Sequence, residues 1–126
     1  MQYKEYKKYN DREPIAVGDL VSLIPETNQV TRSKNKYYKN KDKFVVGVCK
    51  SLTSDKVIVV SEGIIDVNVE GIICIGDRLT TSEIAGKARA IRNDNDDIRI
   101  FDIRPIGKVI GLYNDYSIAK VLLGIE

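Results

Sequence analysis

The sequence predicts an all-β fold, a small antiparallel barrel or sandwich built from two related β-units. Its apolar residues are mostly Ile and Val, with 17 and 13 copies against 7 Leu and 5 Ala, and a branched Cβ suits a strand better than a helix. Turn signals also separate short apolar runs at intervals of about 8 to 12 residues, which is typical of antiparallel sheets. The length of 126 residues fits one domain, placed at residues 15–126.

The predicted strands follow these apolar runs. Within residues 65–69 the odd positions are apolar and the even ones polar, so one face packs on a core and the other meets solvent. Residues 57–60 are continuously apolar, which predicts a strand covered on both faces, within the domain or at a subunit interface. The predicted strands are 19–24, 29–32, 43–51, 56–61, 64–69, 78–81, 88–92, 98–103, 107–113 and 117–123.

An internal repeat divides the domain. The segments IAVGDLVSL (15–23) and ICIGDRLTT (73–81) share an Ile, a Gly-Asp pair and the alternation that follows. We therefore expect sub-repeats at about 15–51 and 73–113. Gly47 is matched to Gly111, which requires six extra residues in the second copy, and the turn-forming run at 93–97 is placed to supply them.

The two Gly-Asp pairs themselves predict structural turns. Glycine tolerates a positive φ, and an Asp side chain accepts hydrogen bonds from nearby free backbone N–H groups. The pairs are Gly18 with Asp19 and Gly76 with Asp77.

The chain carries no recognisable catalytic centre. It contains no histidine, which excludes Ser-His-Asp, Cys-His and His-metal mechanisms. Cys49 and Cys74 lie in apolar runs, where a buried, reduced thiol is expected, although a disulfide between them stays open. Two thiols are too few for a structural zinc. No catalytic residue, cofactor or metal is therefore predicted, and a carboxylate mechanism is the remaining route to an enzyme.

A basic, aromatic segment is a candidate contact for an anionic polymer. Lysines could pair with phosphates, and tyrosines could stack on bases, so nucleic acid and teichoic acid both qualify. The alternative is a solvated loop between two strands. The candidate residues are Lys34, Lys36, Tyr37, Tyr38, Lys39 and Lys41.

Residues 1–14 are predicted to form an N-terminal arm. Tyr3, Tyr6 and Tyr9 recur at every third position, which fits neither a helix face nor a strand face. Aromatic side chains are enriched in interface cores, so the arm is either a docking segment for a neighbouring subunit or a frayed terminus. No apolar run approaches the roughly 18 residues that span a bilayer, and the charged start lacks the apolar core of a signal peptide.

The order of motifs resembles the autoproteolytic intramolecular-chaperone domains at the C-terminal end of phage neck-appendage and tail-spike proteins. Those domains begin with an aromatic and acidic stretch before a Gly-x-x-Val-x-Leu strand, matched here by YKEYKKYNDREPIAVGDLVSL (3–23). A Val-x-Gly-Val-x-x-Ser strand follows as VVGVCKS (45–51). The second half matches at 67–71, 76–82, 86–88 and 109–111.

This resemblance implies a β-rich phage component that acts as a homotrimer with other virion or tail proteins. It places the protein in a virion or tail-like particle after synthesis in the bacterial cytoplasm, without membrane insertion. The family domain cuts itself from a spike upstream, whereas this chain starts at Met1, so we expect no self-cleavage. A structural or assembly role is thus the first hypothesis, and polymer binding is the second.

Overall fold

The computed structural model describes residues 2–9, 14–33, 44–92 and 105–124, and every regular element in these ranges is a β-strand. The all-β prediction is therefore confirmed. The nine strands are β1 (Gln2–Lys8), β2 (Leu20–Leu23), β3 (Gln29–Arg32), β4 (Val45–Leu52), β5 (Lys56–Asn68), β6 (Arg78–Thr81), β7 (Ala88–Ala90), β8 (Gly107–Leu112) and β9 (Ile118–Gly124).

The strand pairings close the first half of the chain into a small barrel. They run in the cyclic order β1-β3-β2-β4-β5, and β5 pairs again with β1. We call this unit the first barrel. All of its pairings are antiparallel except that of β1 with β3, which is parallel. The sheet was predicted to be antiparallel, but it is mixed at this pairing. β1 and β3 are not consecutive strands joined by a hairpin, so they are free to run parallel.

A second barrel forms from the same kinds of pairing. The second half of β5 pairs with β9, and β8, β6 and β7 follow in order. An isolated parallel bridge between Val69 and Ala88 completes the ring. The strand β5 therefore belongs to both barrels. The sequence analysis predicted two strands in this region, at 56–61 and 64–69, but the backbone continues through Gly63 with a φ of 105°.

The two barrels repeat one pairing register. Val21 lies opposite Gly47 in the first barrel, and Leu79 lies opposite Gly107 in the second. Gly107, and not the predicted Gly111, is therefore the counterpart of Gly47. Gly111 instead follows a β-bulge in β8, at the position where β4 also has a bulge. Between the Gly-Asp turn and the matched glycine, Gly47 or Gly107, the second repeat is therefore two residues longer than the first, and not six as predicted.

The repeat extends beyond its predicted limits, because it includes β1. Tyr6 pairs with Val57, in the same way as Val67 pairs with Ala119. The second half of β5 is therefore the counterpart of β1, and each repeat begins with this strand. The sequence analysis placed residues 2–8 in an arm outside the domain, whereas the structure places them inside the sheet.

Two groups of buried side chains hold the molecule together. The interior of the first barrel contains the smaller group, which includes Tyr6, Val21 and Val57. The larger group fills the second barrel and extends to Leu20, Val48 and Val60 on the outer side of the first. In the apolar run at 57–60, which was predicted to be covered on both faces, Val57 and Val59 are buried in the smaller group and Val60 in the larger one, whereas Ile58 is half-buried.

The burial of the two cysteines differs from the prediction at one of them, and some predicted segments are not described by the structure. Cys74 is exposed in a turn, contrary to its predicted burial, whereas Cys49 is buried, and both are free thiols. The predicted strand at 98–103 and the turn-forming run at 93–97 lie outside the described residues. Among the residues that the structure does describe, no helix is long and apolar enough to cross a membrane.

Candidate interaction surfaces

The two Gly-Asp turns have the same local geometry. Gly18 and Gly76 both have a φ of 92°, a left-handed conformation that favours glycine. The Asp19 carboxylate accepts a hydrogen bond from the Ala16 N–H at 2.9 Å. In the second turn, Asp77 accepts one from the Cys74 N–H at 2.8 Å. Each carboxylate thus accepts a hydrogen bond within its own turn, and a purely structural role stays the prediction for these residues.

The first turn is also where the two barrels meet. The Asn68 side chain donates a hydrogen bond to Asp19 Oδ1 at 2.8 Å, and the Asn68 N–H donates to Gly18 O at 2.9 Å. The Leu20 N–H donates to Gly86 O at 2.7 Å. Asp19 is 4% exposed as a result. Gly18 and Asp19 are therefore covered by the protein itself, whereas Val17 in the same turn is 60% exposed.

The three N-terminal tyrosines lie in different environments. Tyr6 is buried in the first barrel, so its ring is not available for a subunit contact. Tyr3 is 55% exposed, accepts a hydrogen bond from Lys50 Nζ at 2.8 Å, and lies with its ring centre 4.0 Å from that ammonium. Tyr9 is also exposed. A docking role therefore stays a prediction for Tyr3 and Tyr9 alone.

An apolar groove of about 310 Å³ lies at one end of the second barrel. Ile72 and Tyr116 are its most exposed lining residues. The Tyr113 hydroxyl beside it donates a hydrogen bond to Asp66 at 2.6 Å, which raises the pKa of Tyr113. At the same end, hydrogen bonds from the Ser117 hydroxyl and N–H lower the pKa of Asp115. The sequence analysis did not identify this groove, because its lining comes from separate strands and turns.

A second exposed surface crosses four strands of the second barrel. Ile64 on β5 lies opposite Leu122 on β9, Leu122 lies opposite Lys108 on β8, and Lys108 lies opposite Arg78 on β6. Residues in register on neighbouring strands point to the same side of a sheet. Ile64 is 52% exposed and Leu122 is 50% exposed. We call this surface, with the adjacent exposed side chains of these strands, the outer face of the second barrel.

The outer face carries charged side chains of both signs. The acidic side chains Glu62 and Asp66 lie on β5. The basic side chains Lys120, Lys108 and Arg78 lie on β9, β8 and β6, and Lys120 lies opposite Asp66. Within the described residues, Glu62, Lys108 and Arg78 have no ion-pair partner.

The predicted polymer-binding residues lie outside the described ranges. Residues 34–43, which contain all of them, connect β3 to β4 in the sequence. In the part of the chain that the structure describes, no group of three or more metal-ligating side chains is found. Among the described residues, the candidate interaction surfaces considered are the apolar groove and the outer face.

A solved structure is similar to this chain. The crystal structure of the head fibre gp8.5 N base of bacteriophage phi29 matches with a TM-score of 0.58 at 12% sequence identity, over 98% of this chain and 93% of that one. At this identity the likeness concerns the fold, and it includes both barrels. No family model and no curated protein sequence matches the chain.

Proposed function

We propose that this protein is a structural or assembly subunit of a bacteriophage fibre, tail or tail-like particle, and that it acts by packing against other proteins without catalysis. The main support is a fold that matches a phage head fibre base over almost the whole length of both chains. The motif order that resembles phage appendage domains supports the same class independently. The proposal places the protein in the virion after synthesis in the bacterial cytoplasm.

The proposed partners are further copies of this chain and other virion or tail proteins. Exposed apolar side chains on the groove and the outer face support such contacts, since surfaces of this kind mark interaction sites. The resemblance to chaperone domains implies a homotrimer, and we retain three copies as the number that it predicts. Self-cleavage is not part of the proposal.

The test is to locate the protein in particles. Phage particles from a lysogen or lytic culture that encodes this chain are purified, and gold-labelled antibody against the recombinant protein is viewed by electron microscopy. We expect label at one defined position, such as a fibre or tail, and none on particles from a deletion strain. Particles that contain no copy of the chain, and that keep their morphology in the deletion strain, would contradict the proposal.

The alternative proposal is that the protein binds an anionic polymer through the Lys and Tyr residues between β3 and β4. This segment has five lysines and two tyrosines within residues 34–43, a composition suited to phosphate pairing and stacking. Replacing Lys36, Lys39 and Lys41 with Glu should abolish retention on immobilised teichoic acid or single-stranded DNA at low salt. Equal retention of the variant would exclude the segment as the binding site.

A further inference from the structure

We draw no further inference here: the strongest candidate, the apolar groove at one end of the second barrel beside Ile72 and Tyr116, carries no proposal, because nothing in the structure shows what covers it.

Discussion

Asp19 and Asp77 close equivalent turns but differ in their surroundings. Asp19 is buried and receives hydrogen bonds from both the Ala16 N–H and the Asn68 side chain. Asp77 is less buried and forms an ion pair with Arg92 at 3.0 Å. A buried polar group that loses its partner costs more free energy than an exposed one, because water cannot replace the lost contact. The same sequence motif therefore contributes differently to stability in the two barrels.

Alanine at these two positions tests that difference. Asp19→Ala removes the acceptor for two hydrogen bonds at the junction of the barrels, and we expect it to lower the free energy of unfolding by about 2 kcal/mol. Asp77→Ala should cost about 1 kcal/mol, because solvent reaches its partners. Urea denaturation followed by far-UV circular dichroism measures both. Equal losses would contradict the assignment of Asp19 to the junction.

Cys49 and Cys74 also differ by burial. Burial raises the pKa of the Cys49 thiol to about 11, with the nearby Asp19 carboxylate as the second cause. Cys74 is exposed. Because the thiolate is the reactive form of cysteine, a protonated and covered thiol reacts slowly.

Thiol labelling of the native protein at pH 8 should therefore modify one cysteine per chain rapidly. Cys74→Ser should remove this rapid phase, and Cys49→Ser should leave it unchanged. The folded state also holds the Cys49 proton more tightly than the unfolded state does. Its contribution to stability is therefore full below pH 9.0 and is lost as the pH rises toward 11. Rapid labelling of Cys49 in the folded chain would contradict its burial.

Among the elements, β1 closes the first barrel. It pairs with β5 along six residues and with β3 at Lys7 and Lys8. Its side chains alternate, so Tyr6 points into the barrel while Tyr3 and Tyr9 are exposed. The spacing of three between the tyrosines places the middle ring on the opposite face from its neighbours.

The contribution of β1 to stability can be measured with two tyrosine variants. Tyr6→Ala should lower the free energy of unfolding by about 3 kcal/mol, since it empties part of the first core. Tyr3→Ala should cost less than about 1 kcal/mol, the amount expected for an exposed cation–π contact with Lys50. Chemical denaturation of both variants provides the comparison. A negligible effect of Tyr6→Ala would show that β1 is a frayed terminus in solution.

At the scale of the whole molecule, the two barrels share both a strand and a core. β5 contributes to each barrel, and the larger buried cluster contains Leu20, Val48 and Val60 from the first together with the interior of the second. Neither barrel can therefore unfold without exposing apolar side chains of the other. Such sharing favours a single cooperative transition.

Cooperativity is tested by comparing probes of the two barrels. In urea, hydrogen exchange of the amides in β3 and in β7 should give the same opening free energy, within error, because both strands open in one global event. Val60→Ala, at the junction, should lower both values together by about 1 to 2 kcal/mol. Two separate transitions, or a change confined to one strand, would show that the barrels fold independently.

Much of the fold was predictable because it depends on local chemistry. The branched apolar residues predicted strands, and their alternation predicted the buried faces of residues 65–69. The Gly-Asp pairs predicted two similar turns, which share one φ and one hydrogen-bond pattern. The apolar runs between turn signals also predicted β3 and β6 at their observed limits. These features depend on the conformational preferences of a few neighbouring residues.

Other features depend on which strands come together, and a single sequence does not encode that locally. β1 carries four charged residues among seven, which is typical of an exposed arm, and only its pairing with β5 shows that it belongs to the sheet. The match of Gly47 to Gly107 becomes evident only from the strand register. In both barrels this glycine lies close to the backbone of the neighbouring strand, at Val60 for Gly47 and at Leu122 for Gly107. The outer face joins four strands that are distant in the chain.

The sequence by itself thus determined the strand class, the repeated turns and the absence of histidine chemistry. Only the tertiary structure decided that one strand serves two barrels, that Leu20, Val48 and Val60 are covered, and that Ile64 and Leu122 on the second barrel are exposed. The physical reason is that alternation shows whether a side chain leaves a strand toward core or solvent. What covers that side chain is set by pairings between residues far apart in the chain.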